Sequence, residues 1–427
     1  MAVLLGAIAD DFTGATDLCN TLVRRGMKTV QLIDVPGPGA LVPDAEAVVV
    51  ALKSRTIPAG EAIAMSLAAL TWLRRAGARQ ILFKYCSTFD STDRGNIGPV
   101  AEALLDALDA DFTLFCPAFP TLGRTIFKGS LFVGDVLLSE SGMKDHPLTP
   151  MRDPSLVRVL QRQSTGKVGL VPHAAVGQGA ATIAAAFAEL RREGCRHAIV
   201  DAVADRDLEA IGEAAQDLAL ITGGSGIALG LPANFRRQGL IGAGVDADLL
   251  PQIGGMAAVL SGSCSPATQG QVAHMIGAGA SHFVIDPLAA AAGRDVAADA
   301  LSWASDKLDG QPVLFSATAP PQRVAEVQQK LGRERSGTMI EGIMAEIARG
   351  LVARGVRRLV VAGGETAGAV VQALGVTGLR IGRQIDPGVP WTVSLGDPPL
   401  ALALKSGNFG APDFFSRAFT ALEEATA

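Results

Sequence analysis

The chain has 427 residues, a formal net charge of −5 at neutral pH, 48% hydrophobic residues and 19% charged residues. That length exceeds what one ordinary core holds and predicts two domains, with three as the upper bound. The apolar content excludes disorder, and an acidic balance with no basic block and 5% aromatics gives nucleic-acid binding no support.

The mean hydropathy is positive, so membrane insertion has to be weighed. The longest stretch without Asp, Glu, Lys or Arg, residues 249–285, is broken by Pro251, Gly254, Gly255, Ser261 and His274. It predicts a strand, a glycine loop and a helix, not a membrane span. The apolar run at the start has no basic residues before it and Asp10 interrupts it, so no signal peptide is expected. Cys19, Cys86, Cys116, Cys195 and Cys264 form no CxxC pair and no metal-ligand spacing. They predict free thiols in a reducing cytoplasm.

The first predicted element is a buried strand over residues 3–8. A helix opens near Thr13 and carries Leu18, Leu22 and Val23 inward. Between them, GAIADDFTGATD (residues 6–17) crowds Asp10, Asp11 and Asp17 onto one strand-to-helix turn. Helix capping accounts for Thr13 or Asp17. It does not account for two adjacent acids at a strand end, where open α/β sheets bind ligands. Asp10 and Asp11 are therefore the candidate catalytic pair.

A joint then recurs in which a helix ends in basic residues, then glycine, then a strand. It reads VRRG before residues 29–33, LRRAG before 80–83, LRREG before 197–200 and LVARG before 359–361. Arginines suit the negative end of a helix, and glycine supplies a left-handed cap. The strands that follow are continuous apolar runs, as buried parallel strands are. The fold class is α/β, with two domains that each carry a mostly parallel sheet flanked by helices.

Other first-half strands are predicted at residues 47–51, 112–116 and 167–171. Lys53, Ser54 and Arg55 follow the first of these. FKYCSTFDST (residues 83–92) follows the strand 81–83 and supplies Lys84, Ser87, Thr88 and Asp90. Arginine matches a carboxylate, and Ser, Thr and Asp suit sugar hydroxyls. With Asp17, these residues are the candidate substrate contacts. Taken singly, each is an ordinary solvated loop residue or cap. Residues 119–152 are read as a long irregular segment with a hairpin around Gly129 and Gly134 and the dipeptide His146-Pro147. Such a loop points to function.

Residues 229–253 lose the helical period and are rich in Gly, Pro and Asn. The boundary is placed there, giving domains 1–240 and 250–427. Second-half strands are predicted at 257–260, 283–285, 313–315, 359–361 and 402–405. Three loops share one pattern: LSGSCS (260–265), VAGGETAG (361–368) and LKSGNFG (404–410). Each follows a strand, and glycines there let backbone N–H groups approach a phosphate. One such loop is often only a tight turn, but three in one domain point to a nucleotide. The Walker pattern and GxGxxG after a strand are both absent, which disfavours a P-loop NTPase and a dinucleotide enzyme.

Together, IADDFTGATD, FKYCSTFDST, HPLTPM, LSGSCS, GGETAG and LKSGNFG resemble the four-carbon acid-sugar kinases over nearly the whole chain. The resemblance implies an N-terminal domain that holds a sugar acid, a C-terminal domain that holds ATP, and an active site in the cleft between them. It implies ATP and Mg²⁺ as cofactors. It implies phosphorylation of the terminal hydroxyl of a four-carbon acid, 3-oxo-tetronate foremost, with threonate and erythronate as alternatives. It places Ser261, Ser263, Gly363, Gly364, Glu365, Thr366, Gly407 and Asn408 at the nucleotide. Metal ligands are not assigned. The expected partners are the acid sugar and ATP, with no nucleic acid and no membrane, and a homodimer is compatible with it. A non-catalytic sugar-acid sensor and an acid-sugar dehydrogenase are the rival readings.

Overall fold

Gly26, Gly77, Gly194 and Gly355, the four glycines of the recurring joint, adopt φ of +77°, +100°, +78° and +96°. A residue with a Cβ is strained there, so each glycine ends its helix and turns the chain into the next strand. The helices they close are Phe12–Arg24, Ala59–Arg75, Ala180–Arg192 and Arg333–Ala353. The computed structural model describes residues 3–37, 39–146, 148–242 and 246–425. Pro147 of the HPLTPM motif lies outside the described residues. The chain divides into two units, Met1–Ala247 and Asp248–Ala427.

In the first unit the strands are β1 (Leu5–Ala9), β2 (Thr29–Ile33), β3 (Ala47–Ala51), β4 (Gln80–Lys84) and β5 (Thr113–Cys116). They continue with β6 (Arg124–Phe127), β7 (Ser130–Val133), β8 (Val136–Leu137), β9 (Lys167–Val171), β10 (Cys195–Val200) and β11 (Leu220–Gly223). The main sheet runs β2-β3-β1-β4-β11-β5-β10-β9, with every pair parallel. All five residues of β1, of β3 and of β4 are buried, which is why β1, β3 and the Ile81–Phe83 stretch of β4 are apolar without alternation. The chain passes from one side of β1 to the other between β3 and β4. The carboxyl end of β1 is thus the topological switch point of this sheet.

Within residues 119–152 the expected hairpin around Gly129 and Gly134 is present and is extended to a three-stranded antiparallel sheet of β6, β7 and β8. Lys128 and Gly129 turn the first hairpin with φ of +51° and +73°, the two positive values a type I′ turn requires. Asp201, fully buried, accepts from the backbone N–H groups of Lys128, Gly129 and His173 at 2.7, 2.8 and 2.9 Å. That carboxylate anchors the hairpin at the carboxyl end of β10.

The second unit contains β12 (Met256–Ser261), β13 (His282–Val284), β14 (Val313–Ser316), β15 (Val356–Ala362), β16 (Gly378–Asp386), β17 (Val389–Ser394) and β18 (Ala401–Lys405). Their order is β13-β14-β12-β15-β18-β17-β16. The first five are parallel, and β17 and β16 add an antiparallel edge that the sequence did not lead us to expect. The orders β2-β3-β1-β4 and β13-β14-β12-β15 are the same topology, so β12 is also a switch strand. Trp391 and Phe415 pack into the core behind this sheet, and the Trp391 indole N–H donates to Ala418 O at 2.7 Å. Each buried ring of that size contributes about 2–3 kcal/mol.

The loss of helical period read over residues 229–253 is corrected in part. Residues 229–253 are not structureless: Leu231–Arg237 is a helix whose Leu231 and Phe235 are buried, with Pro232 in its first turn. The strand at residues 220–223 was hidden in its length of four residues. No helix among the described residues is long and apolar enough to cross a membrane. All five cysteines are free.

Candidate active site

At the end of β1, Asp11 is the N-cap of helix Phe12–Arg24, and its Oδ1 accepts the Gly14 N–H at 3.1 Å. This corrects the expectation that Thr13 or Asp17 would cap. Asp17 lies inside the helix, half-buried. Asp10 is buried, and its backbone carbonyl accepts the N–H groups of Ser54 and Arg55 at 2.9 and 3.2 Å. The strand ends of β1 and β3 are thereby locked together, which brings Arg55 onto the acid turn.

The Arg55 guanidinium donates through Nε and Nη2 to both oxygens of Asp10, each at 2.8 Å, and through Nη2 to Asp11 Oδ1 at 2.5 Å. Its Nη1 lies 3.9 Å from Asp90. Lys84, 4% exposed, places its ammonium 3.7 Å from Asp11 Oδ1. The bidentate geometry is the strong form of this pairing. Burial raises the Asp10 carboxyl above the ordinary range against the pull of Arg55. Burial acts the same way on Asp11, but the charges of Lys84 and Arg55 and the Gly14 N–H outweigh it and hold that carboxyl below the ordinary range. Burial raises Asp17.

Asp90 reaches this cluster through backbone strain. Phe89 and Asp90 have φ of +66° and +43°, uncommon for residues with a side chain. Each such residue costs on the order of 1–3 kcal/mol, and such positions concentrate at functional sites. Phe89 is buried edge-on against Tyr85, and Thr88 Oγ1 donates to Asp90 Oδ1 at 2.6 Å, which together hold the loop in place. Ser87 is half-buried in the same loop, and Lys53 is exposed. Sequence reasoning missed Asn96, whose Nδ2 donates to the carbonyls of Ser54 and Ile57 at 2.8 and 3.1 Å and fixes the Arg55 loop. Its signal is an asparagine just ahead of a helix, which reads as a cap.

In the second unit the three glycine loops gather on one cavity of about 600 Å³. Its lining includes Gly262, Ser263, Gly363, Gly364, Thr366 and Gly407 from the loops and the apolar Val284, Ile285, Pro287, Val324, Val327 and Ile340. Glu365 and Asp286 are the carboxylates that line it, and Arg323 and Arg333 the cations. A volume of this size, lined by both apolar side chains and glycine loops, fits a base and a phosphate chain.

The glycines are there for space. A Cβ on Gly262 would lie 2.1 Å from Thr366 Oγ1, and one on Gly407 would lie 2.4 Å from Ser263 Oγ. Gly363, with φ of +122°, donates its N–H to Lys405 O at 2.9 Å. Ser265 caps helix Pro266–Gly277 by accepting the Thr268 N–H at 3.2 Å. Ser261 does not line the cavity. It is fully buried, with its hydroxyl 2.8 Å from that of Thr318, which in turn donates to Ser263 O at 2.8 Å. Asn408 is exposed and is not part of the lining either. Thr318 was missed in the sequence, although Ser316 and Thr318 close a strand as the chosen loops do. No group of three or more His, Cys, Asp or Glu among the described residues is arranged to hold a metal ion.

Comparison with known proteins bears on both halves. A family model described as a sugar-binding N-terminal domain matches residues 5–231, and one described as a nucleotide-binding C-terminal domain matches residues 258–415. A 3-oxo-tetronate kinase of Cupriavidus necator is 64% identical over 421 residues, 98% of this chain and 97% of that protein. A 3-oxo-tetronate kinase of Burkholderia multivorans is 61% identical over 422 residues, 99% of this chain and 98% of that protein. The crystal structure of a Haemophilus influenzae protein matches with a TM-score of 0.88 at 46% identity, covering 98% of this chain and 100% of that one.

Proposed function

The chain belongs to the family that joins a sugar-binding N-terminal domain to a nucleotide-binding C-terminal domain, the family of the 3-oxo-tetronate kinases, and from that premise we propose how its residues divide the work. It is an ATP-dependent kinase that transfers the γ-phosphoryl group to the 4-hydroxyl of 3-oxo-tetronate, giving 3-oxo-tetronate 4-phosphate and ADP. The observation that carries this reading is identity of 64% across 98% of the chain, so both halves match together.

The 4-hydroxyl oxygen forms the new bond to Pγ, the bond from Pγ to the β,γ-bridging oxygen breaks, and the hydroxyl proton must leave. Phosphoryl transfer through a loose transition state asks mainly for positioning and charge neutralisation. We assign Asp11 to orient the hydroxyl and take its proton late. Asp11 accepts through Oδ1 alone, and its carboxyl is ionised at neutral pH. Asp10, with both oxygens on Arg55, positions that arginine instead. The Nη1 edge of Arg55 and the Lys84 ammonium are the cations offered to the substrate carboxylate. Ser87, Thr88, Asp90 and Asp17 complete the sugar-acid site.

ATP takes the cavity of the second unit, with its base among Val284, Val324 and Ile340 and its phosphates on the loops at Ser263, Gly363–Thr366 and Gly407. Mg²⁺ arrives on nucleotide phosphates with most of its waters and needs one or two carboxylates from the protein. Glu365, on the glycine loop, is the residue that would hold it. When bound, the ion neutralises charge on the phosphate oxygens. The enzyme is assigned to the cytoplasm, in keeping with five free thiols. A coupled assay of ADP release with ATP–Mg²⁺ and a panel of tetronates, 3-oxo-tetronates and neutral four-carbon sugars tests the proposal. ADP release on the 3-oxo-tetronates supports it, and release on none of the acids refutes it.

A further inference from the structure

One buried cation takes no part in the roles assigned above. Lys405 is 1% exposed at the end of β18. Its Nζ donates to Thr268 Oγ1 at 3.1 Å and to Gly407 O at 3.2 Å, and its own carbonyl accepts the Gly363 N–H at 2.9 Å. One residue therefore touches all three glycine loops or the helix that opens from them. No carboxylate pairs with it among the described residues.

The Gly407 carbonyl is the hub. It accepts from Ser265 Oγ at 2.5 Å, from Thr268 Oγ1 at 2.8 Å and from Lys405. A trans peptide points its carbonyl oxygen and the following N–H in opposite directions. Three donors behind Gly407 O thus turn the Asn408 N–H outward, onto the exposed side of the loop. Two hydroxyls already satisfy that oxygen, so the lysine is not needed to pair a buried acceptor. Burying an unpaired ammonium is unfavourable, and a buried carbonyl asks for nothing so expensive.

We propose that Lys405 is a positioning residue for ATP: it fixes the Gly407–Asn408 peptide and adds an uncompensated positive charge behind the phosphate loops. This rests on the nucleotide reading of the cavity. Burial lowers its pKa to about 8. The titratable and charged groups on the elements around it are Cys264, His274, Arg357, Arg358 and Glu365, and among the described residues no hydrogen bond or ion pair joins any of them to the ammonium.

The test is equilibrium binding of ATP and steady-state kinetics with the full-length wild type and Lys405→Met, from pH 7 to pH 9. At pH 7 the variant should bind ATP about tenfold more weakly, the value of one charge-assisted contact, with KM for the sugar acid within about twofold. Wild-type ATP affinity should weaken as pH rises through about 8, while the variant stays flat at the weaker value. The melting temperature without nucleotide should be unchanged or higher in the variant. Equal ATP affinity, an equal loss for both substrates, or a variant that fails to fold each overturn the inference. Failure of the wild type to bind ATP would sink the nucleotide reading itself and take this inference with it.

Discussion

Arg55 grips Asp10 with two parallel hydrogen bonds of 2.8 Å across 45 residues of sequence, and the same guanidinium reaches Asp11. The adjacent acids are therefore not equivalent. Asp10 is spent on the arginine, and Asp11 is shared between a helix cap and the site.

That inequality separates two variants. Asp10→Asn breaks a buried bidentate pair and should lose about 3 kcal/mol of stability together with turnover. Asp11→Asn keeps a good N-cap, so its stability should stay within about 1 kcal/mol. Its kcat should fall by about 10²–10⁴, the range for a group that orients and accepts a proton. Chemical denaturation and ADP release on both proteins measure the split. An Asp11→Asn enzyme with near-native kcat would make Asp11 a cap and nothing more.

Gly14 sits where a Cβ would lie 1.9 Å from Lys84 Nζ and 2.3 Å from Asp11 Oδ1. Lys84 has little room to retreat. Gly14→Ala should cost about 1–3 kcal/mol through overpacking and should cut kcat/KM for the sugar acid while leaving ATP binding unchanged. Thermal unfolding and calorimetric titration with ATP check the two halves of that statement.

Gly364 offers the opposite case, with nothing within 4 Å of an added Cβ. Gly364→Val should therefore perturb the bound phosphate more than the protein. The expected result is a KM for ATP raised at least about tenfold, with the KM for the acid within about twofold, from a clash with one phosphate contact. Equal effects on both substrates would contradict the assignment of ATP to the second unit.

Lys405 also carries a stability signature. Its pKa falls from 10.5 in the unfolded chain to about 8 in the fold. Between those values the folded state binds fewer protons, so the wild type gains stability from this group as pH rises from about 8 toward 10.5. Below pH 8 the full penalty is present. The stability advantage of Lys405→Met should be largest there and shrink as pH climbs, which melting curves across that window report.

Much of this was legible in the chain. Buried parallel strands are apolar on both faces, so β1, β3 and β4 announced themselves, and the glycines after basic helix ends marked the joints. The antiparallel edge was hidden because Arg380, Arg383, Gln384 and Asp386 break the apolar run of β16. The acid turn was legible as a cluster, but the pairing within it was not. Nothing in residues 10–11 says which carboxylate meets Arg55, because that depends on β1 lying between β3 and β4. Lys405 stood in a recognised motif, yet a lysine as the last residue of a strand reads as solvated until its burial is known. The apolar lining of the cavity comes from the end of β13 and from three helices, Pro287–Ala291, Pro321–Leu331 and Arg333–Ala353, that carry no motif.

The most direct measurement is kcat/KM of the wild-type enzyme for 3-oxo-tetronates against erythrulose at saturating ATP–Mg²⁺, with the product identified by phosphorus NMR. A desolvated cation left without its carboxylate makes the neutral sugar about 10²–10³-fold worse. The account predicts that gap, with phosphate on the 4-hydroxyl of the acid. Comparable kcat/KM on erythrulose, or phosphate on any other oxygen, would contradict it.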